Sequence, residues 1–543
     1  MNYIFPVIPF HIKKKKVLIC IDIKTPDPNT KNVNSLETSP MSSFFTKKLG
    51  LCLASFASLS FSSSLLYKNY QMQKTETVSI ANYSGHKKVQ VNTTDFFEPS
   101  TEEELSAIMH KLQANPNQKC RPMGSGLSHN GISYEPKGMI SMENMKNILE
   151  IDLKNKTVTA ESGITVQELF EELSNQGFSL PNITSIASQQ IGGWCQTGSH
   201  GTGLTLPPID EYIEKFKIYS PTYPDGLVLS KNDPDPKKRE MFYAFRVGVG
   251  SVGVISNITF RIEERQICRE TTSVLSIDEM GKNHQQILNT NKIVKYLWIP
   301  YTNDVLVKLV NPVSKEESEA FLKNHGKKAG VGDESVKSFN RRALLERGIL
   351  DTENIKATNK EEIKFLRTIC GERIGHLEDL IVFNCESWKC VFEVAFKKEG
   401  LNDLQFMKEL YEFFEKNNIP AHSPIEQRWT LSSRSWMSPA YSENPNDVYC
   451  WVGLLIMHLH RSNTEEAKKG LEKFNEISAQ LAPLLEKYNA FPHWAKIESV
   501  VHSNFLTKRL QERFPKLERF RSLRKQMDPN YQMSNKMTEI LFN

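Results

Sequence analysis

From about residue 79 onward, the apolar positions of this chain fall into separate helix and strand rhythms. Leu105, Ile108, Met109 and Leu112 recur at helical spacing behind Pro99 and the run Ser100-Thr101-Glu102-Glu103, which has capping-box chemistry, so the pattern predicts a helix. Apolar β-rich runs follow at 139–142, 149–153 and 157–160. The tight turn Lys154-Asn155-Lys156 joins the last two into a predicted hairpin. A second capping box, Thr165 to Glu168, opens a predicted helix that buries Leu169, Phe170 and Leu173. The order of strand, loop, strand, hairpin and helix predicts an α+β protein. Near the C-terminus Leu510, Phe514, Leu517, Phe520 and Leu523 keep near-helical spacing with Arg513, Arg519, Arg521 and Arg524 between them. That segment reads either as a core-docked helix with a solvated basic face or as a helix drawn to an anionic membrane surface. No repeat at a solenoid period appears.

Composition adds limits. The 543 residues give room for two or three domains, and 39% hydrophobic with 24% charged residues is ordinary globular content. A net charge of +5, spread along the chain, gives no argument for nucleic acid. Nine cysteines at no CxxC or metal-ligand spacing, and odd in number, argue against a complete disulfide framework and for buried thiols. No metal site is expected. Residues 38–75 contain no acid, while Lys47, Lys48, Lys68 and Lys74 flank the serine-rich uncharged run 49–67. This is transit-peptide composition with a possible membrane anchor, and a secretory signal is the competing reading. Residues 1–40, ahead of Met41, read as a disordered leader or as sequence before the true start.

Three glycine patterns carry candidate chemistry. Gly248 to Gly253 matches GxGxxG, but the β-branched run from Val254 to Phe260 follows it where a dinucleotide fold needs a helix. Residues 198–203 lack the Gly-Lys-Ser/Thr of a P-loop. The segments RPMGSGLSHNG (121–131) and IGGWCQTGSHGTG (191–203) remain, either as tight turns or as anion nests of successive backbone amides. Further on, alternation places Glu426 and Arg428 on one face of an apolar strand and Gln427 on the other. The two charges are either a structural ion pair or members of a pocket. His493-Trp494-Ala495-Lys496 is a second polar cluster.

Together the segments RPMGSGLSHNG, SIASQQIGGWCQTGSHGTG with LPPIDE after it, KYLWIPYT, SPIEQRWT, PHWAKIE and DPNYQMSNKM resemble the plant-type L-galactono-1,4-lactone dehydrogenases. These are sugar-lactone oxidoreductases of the vanillyl-alcohol oxidase flavoprotein superfamily, and the likeness runs from about residue 80 to the C-terminus. It implies a leader over 1–78 and a PCMH-type FAD-binding domain of two subdomains over 79–266. An α+β substrate (cap) domain would then occupy 267–543, its C-terminal segment returning to the FAD domain. It places Pro122, Met123, Gly124, Ser125, Gly126, Leu127, Ser128, Gly192, Gly193, Thr197, Gly198, Ser199, His200, Gly201, Gly203, Gly253, Val254 and Ile255 at the FAD. The stretch 247–255 would be a return strand under the adenine.

Animal and fungal relatives carry a flavin-linked histidine at the position of Leu127, so the resemblance implies non-covalent FAD. It makes Glu426 and Arg428 catalytic and substrate-binding, as proton acceptor and as cation for developing negative charge. Lys496 would be catalytic through the reduced flavin's charge, and His493 would line the substrate pocket. In the superfamily a small residue influences oxygen access at a position that here is Glu143. The implied activity is oxidation of an aldonolactone, L-galactono-1,4-lactone to ascorbate, with cytochrome c as acceptor. The location would be mitochondrial, at the inner membrane or its intermembrane-space side. The alternatives are an oxygen-dependent gulono- or arabinonolactone oxidase, and an assembly factor meeting a respiratory complex I intermediate.

Overall fold

The computed structural model describes residues 77–83, 85, 87–323, 348–382, 389–458, 464–496 and 508–542. The leader expected over 1–78, including the run 49–67, lies almost wholly outside the described residues. Among those described, no helix is long and apolar enough to cross a membrane.

The first half contains two main sheets beside two short two-stranded ones. A parallel three-stranded sheet joins Phe96–Phe97, Met139–Ser141 and Arg121–Met123, and helix Glu102–Ala114 buries Leu105, Met109 and Leu112. That helix starts one residue later than expected. Thr101 is the cap, accepting from the Glu104 amide at 3.2 Å, and the Ser100 amide donates to the Glu104 carboxylate at 2.7 Å. A five-stranded antiparallel sheet follows, containing the hairpin Ile148–Asp152 with Thr157–Glu161 and the strand Val254–Arg261. Helix Val166–Asn175 carries the full Thr165/Glu168 capping box and buries Leu169, Phe170 and Leu173 as the periodicity requires. The return strand is shorter than expected. Residues 247–253 form a loop in which Val249, Gly250 and Gly253 have positive φ, and the ladder starts only at Val254.

The second half is built on an eight-stranded sheet whose strand pairs are antiparallel. Alternation divides its faces. On Lys389–Lys397 the residues Cys390, Phe392, Val394 and Phe396 enter the apolar core beneath helix Asn402–Lys416, and on Ile425–Leu431 Ile425 and Trp429 do the same. Lys389, Val391, Glu393, Glu426 and Arg428 are left on the opposite face, where they border a cavity.

The C-terminal helix Leu517–Met527 is core-docked: Leu517, Phe520 and Leu523 pack with first-half residues such as Phe242 and Phe245. The arginines of the expected helix over 508–525, which is interrupted at 514–516, do not form a free basic face. Arg513 and Arg524 are buried and donate to backbone carbonyls, while Arg519 pairs with Glu240 at 2.7 Å and Arg521 with Glu518 at 2.6 Å.

Candidate functional site

A deep cleft with about 1650 Å³ of empty space, its open mouth included, lies between the glycine-rich loops and the eight-stranded sheet. The first loop leaves strand Arg121–Met123 and turns at Gly126, whose φ of 69° suits glycine. It is pinned from behind. Tyr83 donates its amide to the Gly126 carbonyl at 2.9 Å, and the Asn82 side chain donates to the Ser128 and His129 carbonyls at 3.1 and 3.2 Å. The buried Arg121 guanidinium ties this loop to the next wall through the carbonyls of Ile132, Val249, Gly250 and Met533, at 2.6–2.9 Å. The second loop enters through the short helix Ile191–Gln196. Gly192 lies against Ser162, where a Cβ would meet the serine Cβ at 2.9 Å, whereas a Cβ on Gly193 would meet open space.

Residues 122–128, Gly192, Gly193, Thr197, Ser199, His200 and 253–255 all line this cleft. Three of the glycines expected at the cofactor do not, and packing explains them instead. A Cβ on Gly201 would sit 1.9 Å from Asn182 Oδ1, Gly203 has φ 147° against Leu206, and Gly198 has φ 68° against Pro439 and Val247. In the segment linked to oxygen access Met142 lines the cleft, and the Glu143 side chain is half-buried outside the lining. His129 also lines it, its Nδ1 3.0 Å from the Lys389 carbonyl.

These walls fit an FAD. Its pyrophosphate and ring carbonyls need small residues for close approach and neutral donors, and glycines with Ser125, Ser128, Thr197 and Ser199 supply both. Gln190 Oε1 and Ser162 Oγ, both on the lining, are buried without a hydrogen-bond partner among the described residues, as expected of groups that meet a ligand.

The charged residues meet at one end of the cleft, and their centre is a residue that the sequence reading missed. Glu393 is 3% exposed. Its carboxylate accepts from Arg428 Nη2 at 2.6 Å and Lys496 Nζ at 2.8 Å, and it lies 3.2 Å from His200 Nε2. Burial opposes its ionisation, but Lys496, Arg428 and His200 outweigh burial and hold the carboxyl well below its ordinary range. Burial likewise works against the Arg428 charge, and Glu426 and Glu393 more than restore it. His200 is pushed down to about 4, first by burial and then by Arg428, so its ring is neutral; it stacks on Trp451 at 3.6 Å. Burial also holds His493 well below its ordinary value. Its Nδ1 accepts from the Ala495 amide at 3.1 Å, and its own amide donates to the Glu393 carbonyl at 2.9 Å.

Glu426 is reachable from the cleft, its side chain 23% exposed, and lies 3.5 Å from Arg428 Nε and 3.6 Å from Lys295 Nζ. Gln427 points the other way, bonding Trp298 Nε1 at 2.9 Å and the Asp403 carbonyl at 3.0 Å. The Glu426/Arg428 pair is therefore part of a larger set that brings in Lys496, His200, His493, Glu393 and Lys295. A signal for Glu393 did exist: it is the lone acid inside the apolar strand KCVFEVAFK, and buried unpaired carboxylates are rare. Lys295 occupies the same kind of position in KYLWIPYT.

Comparison with known proteins agrees with this geometry. Residues 258–541 match the D-arabinono-1,4-lactone oxidase family and residues 95–228 an FAD binding domain family. The chain is 38% identical to a mitochondrial L-galactono-1,4-lactone dehydrogenase of Oryza sativa subsp. japonica, over 78% of this chain and 77% of that one. It is 36% identical to the Brassica oleracea protein of the same name, over 86% and 82%. Among solved structures, cholesterol oxidase from Brevibacterium sterolicum superposes with a TM-score of 0.67 at 13% identity, covering 86% of this chain and 97% of that one, a likeness of fold.

Proposed function

Because the chain belongs to the FAD-dependent sugar-1,4-lactone oxidoreductases, we propose that it oxidises an aldono-1,4-lactone, L-galactono-1,4-lactone to ascorbate, and delivers the electrons to cytochrome c. The observation that carries this reading is the convergence of Glu426, Arg428, Lys496 and the two histidines at one end of a glycine-walled cleft. Bound FAD would supply a two-electron hydride acceptor. The protein's task is then to hold the lactone and manage charge as a C–H hydride and an O–H proton depart. Glu426, exposed to the cleft, accepts or orients the hydroxyl proton, and Arg428 stabilises negative charge growing on the lactone oxygen. Lys496 does the same for the cofactor. The two neutral histidines and Trp451 close the wall without adding charge.

The plant relatives favour a dehydrogenase, and Leu127 favours a freely dissociable FAD. Their names also support a mitochondrial location, within which our reading assigns the inner membrane or its intermembrane-space side. A lone uncharged wall residue, Met142 rather than Glu143, borders the cleft in the segment linked to oxygen access, so an oxygen-using gulono- or arabinonolactone oxidase is the second reading.

Anaerobic single-turnover flavin reduction by a panel of aldonolactones, followed by mixing with cytochrome c or oxygen, tests both parts. L-Galactono-1,4-lactone should reduce the flavin fastest and cytochrome c should reoxidise it faster than oxygen does. Arg428→Ala should slow reduction on the order of a hundredfold or more, an effect of about 3–4 kcal/mol. Near wild-type reduction by Arg428→Ala and Glu426→Gln alike would show that the pair is only structural.

A further inference from the structure

Arg428 is shared by two carboxylates in different surroundings. Glu393 is buried, 2.6 Å away and tied also to Lys496; Glu426 is 3.5 Å away and open to the cleft. A guanidinium in a low-dielectric site takes the nearest anion. With Glu393 in place, Arg428 has its closest anion there and stands 3.5 Å off Glu426, whose other cationic neighbour is Lys295 at 3.6 Å. Without it, the nearest remaining carboxylate is Glu426 itself, and closing that gap would withdraw Glu426 from the cleft.

The same residue fixes other parts of the site. Its carboxylate oxygens hold Lys496 and face His200 of the second glycine-rich loop, and its backbone carbonyl holds the His493 amide, so with Arg428 three other chain segments meet on it. It also sets the local charge. Arg428, Lys496 and Lys295 are cations, Glu426 and Glu393 anions, and His200 and His493 are neutral, so Glu393 offsets one of the cluster's cations and its loss would deepen the positive excess.

We infer that Glu393 is the positioning residue of this site: it anchors Arg428 and Lys496, keeps Arg428 from closing on Glu426, and limits the positive charge facing the cofactor. The inference rests on the flavin reading above. Glu393 acts through its partners.

The test uses full-length, FAD-loaded protein carrying Glu393→Gln, Glu393→Asp or Glu393→Gln with Lys496→Met. Sulfite adduct formation reports the charge around the flavin without turnover. With one anion removed, Glu393→Gln should bind sulfite on the order of tenfold more tightly, a modest share of what one unscreened charge at this range can exert. Its flavin reduction at saturating lactone should slow on the order of a hundredfold, as expected of a misplaced catalytic group. Glu393→Asp keeps the charge but is too short to reach both cations, so sulfite affinity should stay near wild type while reduction slows. The double variant removes a charge of each sign and should return sulfite affinity toward wild type.

Unchanged sulfite affinity and reduction rate in flavin-loaded Glu393→Gln would overturn the inference. So would equal loss of FAD from the Gln and Asp variants, which would make the residue merely structural. Wild-type protein that holds no flavin would instead overturn the reading on which the inference stands.

Discussion

At the scale of single residues, two positions separate cofactor chemistry from packing. Leu127 lines the cleft, and a leucine has no nucleophile with which to bond a flavin covalently. Acid or heat denaturation of the yellow protein should therefore release FAD into the supernatant; flavin that remains on the precipitated chain would contradict this. Gly201 was expected at the cofactor, yet its role is to let Asn182 close against the loop. Asn182 Oδ1 accepts from the amides of Ile183 and Thr202 at 2.9 and 3.2 Å, leaving no freedom to move away. Gly201→Ala should cost about 1–3 kcal/mol by overpacking, read as a lower unfolding midpoint. Such glycines were indistinguishable in the sequence from Gly193, because open space and backbone contact look alike in one dimension.

At the scale of elements, alternation on the strands was the most dependable sequence signal. It placed Glu426 and Arg428 on one face and Gln427 on the other, as observed, and that other face is the core. What alternation cannot give is which strands are neighbours: Lys389–Lys397 reaches Ile425–Leu431 only through the strand Val448–His458 between them. Helices hold a different kind of surprise. Glu362, on helix Thr352–Ile369, is 0% exposed, and burial pushes its carboxyl from 4.5 up to about 8 against a hydrogen bond with Ser423. Its folded-state pKa lies above the unfolded one, so its contribution is fully present below about 4.5 and is lost as pH rises toward 8. Glu362→Gln cannot ionise. It should leave thermal stability near pH 4.5 almost unchanged and raise it at pH 7–8 by about 3 kcal/mol, measured by melting across that range.

At the scale of the whole molecule, the C-terminal segment acts as a latch on the flavin-side loops. Gln532 donates to the carbonyls of Leu112, Asn115 and Gln118, and Asn535 to those of Gly131, Ile132 and Tyr134, at 2.9–3.1 Å. Asn535→Ala removes a donor from all three carbonyls, of which Ile132 keeps Arg121 and Gly131 keeps the Tyr134 amide, a loss of about 1–3 kcal/mol, and should weaken FAD retention with little effect on reduction of the flavin that remains bound. Unchanged FAD affinity, measured by fluorescence titration of the apoprotein, would show that the latch does not reach the cofactor. By itself the sequence determined the α+β class, the hairpin and capped helices, the glycine loops and the faces on which the charged residues of each strand lie, because these depend on residues close in the chain. Only the tertiary structure decided that Arg428's nearest anion is Glu393, that Lys295 stands beside Glu426, that Gly198, Gly201 and Gly203 serve packing, and that the basic C-terminal helix is docked. Those outcomes depend on strand order and on which buried charges find partners, and both are set by long-range contacts.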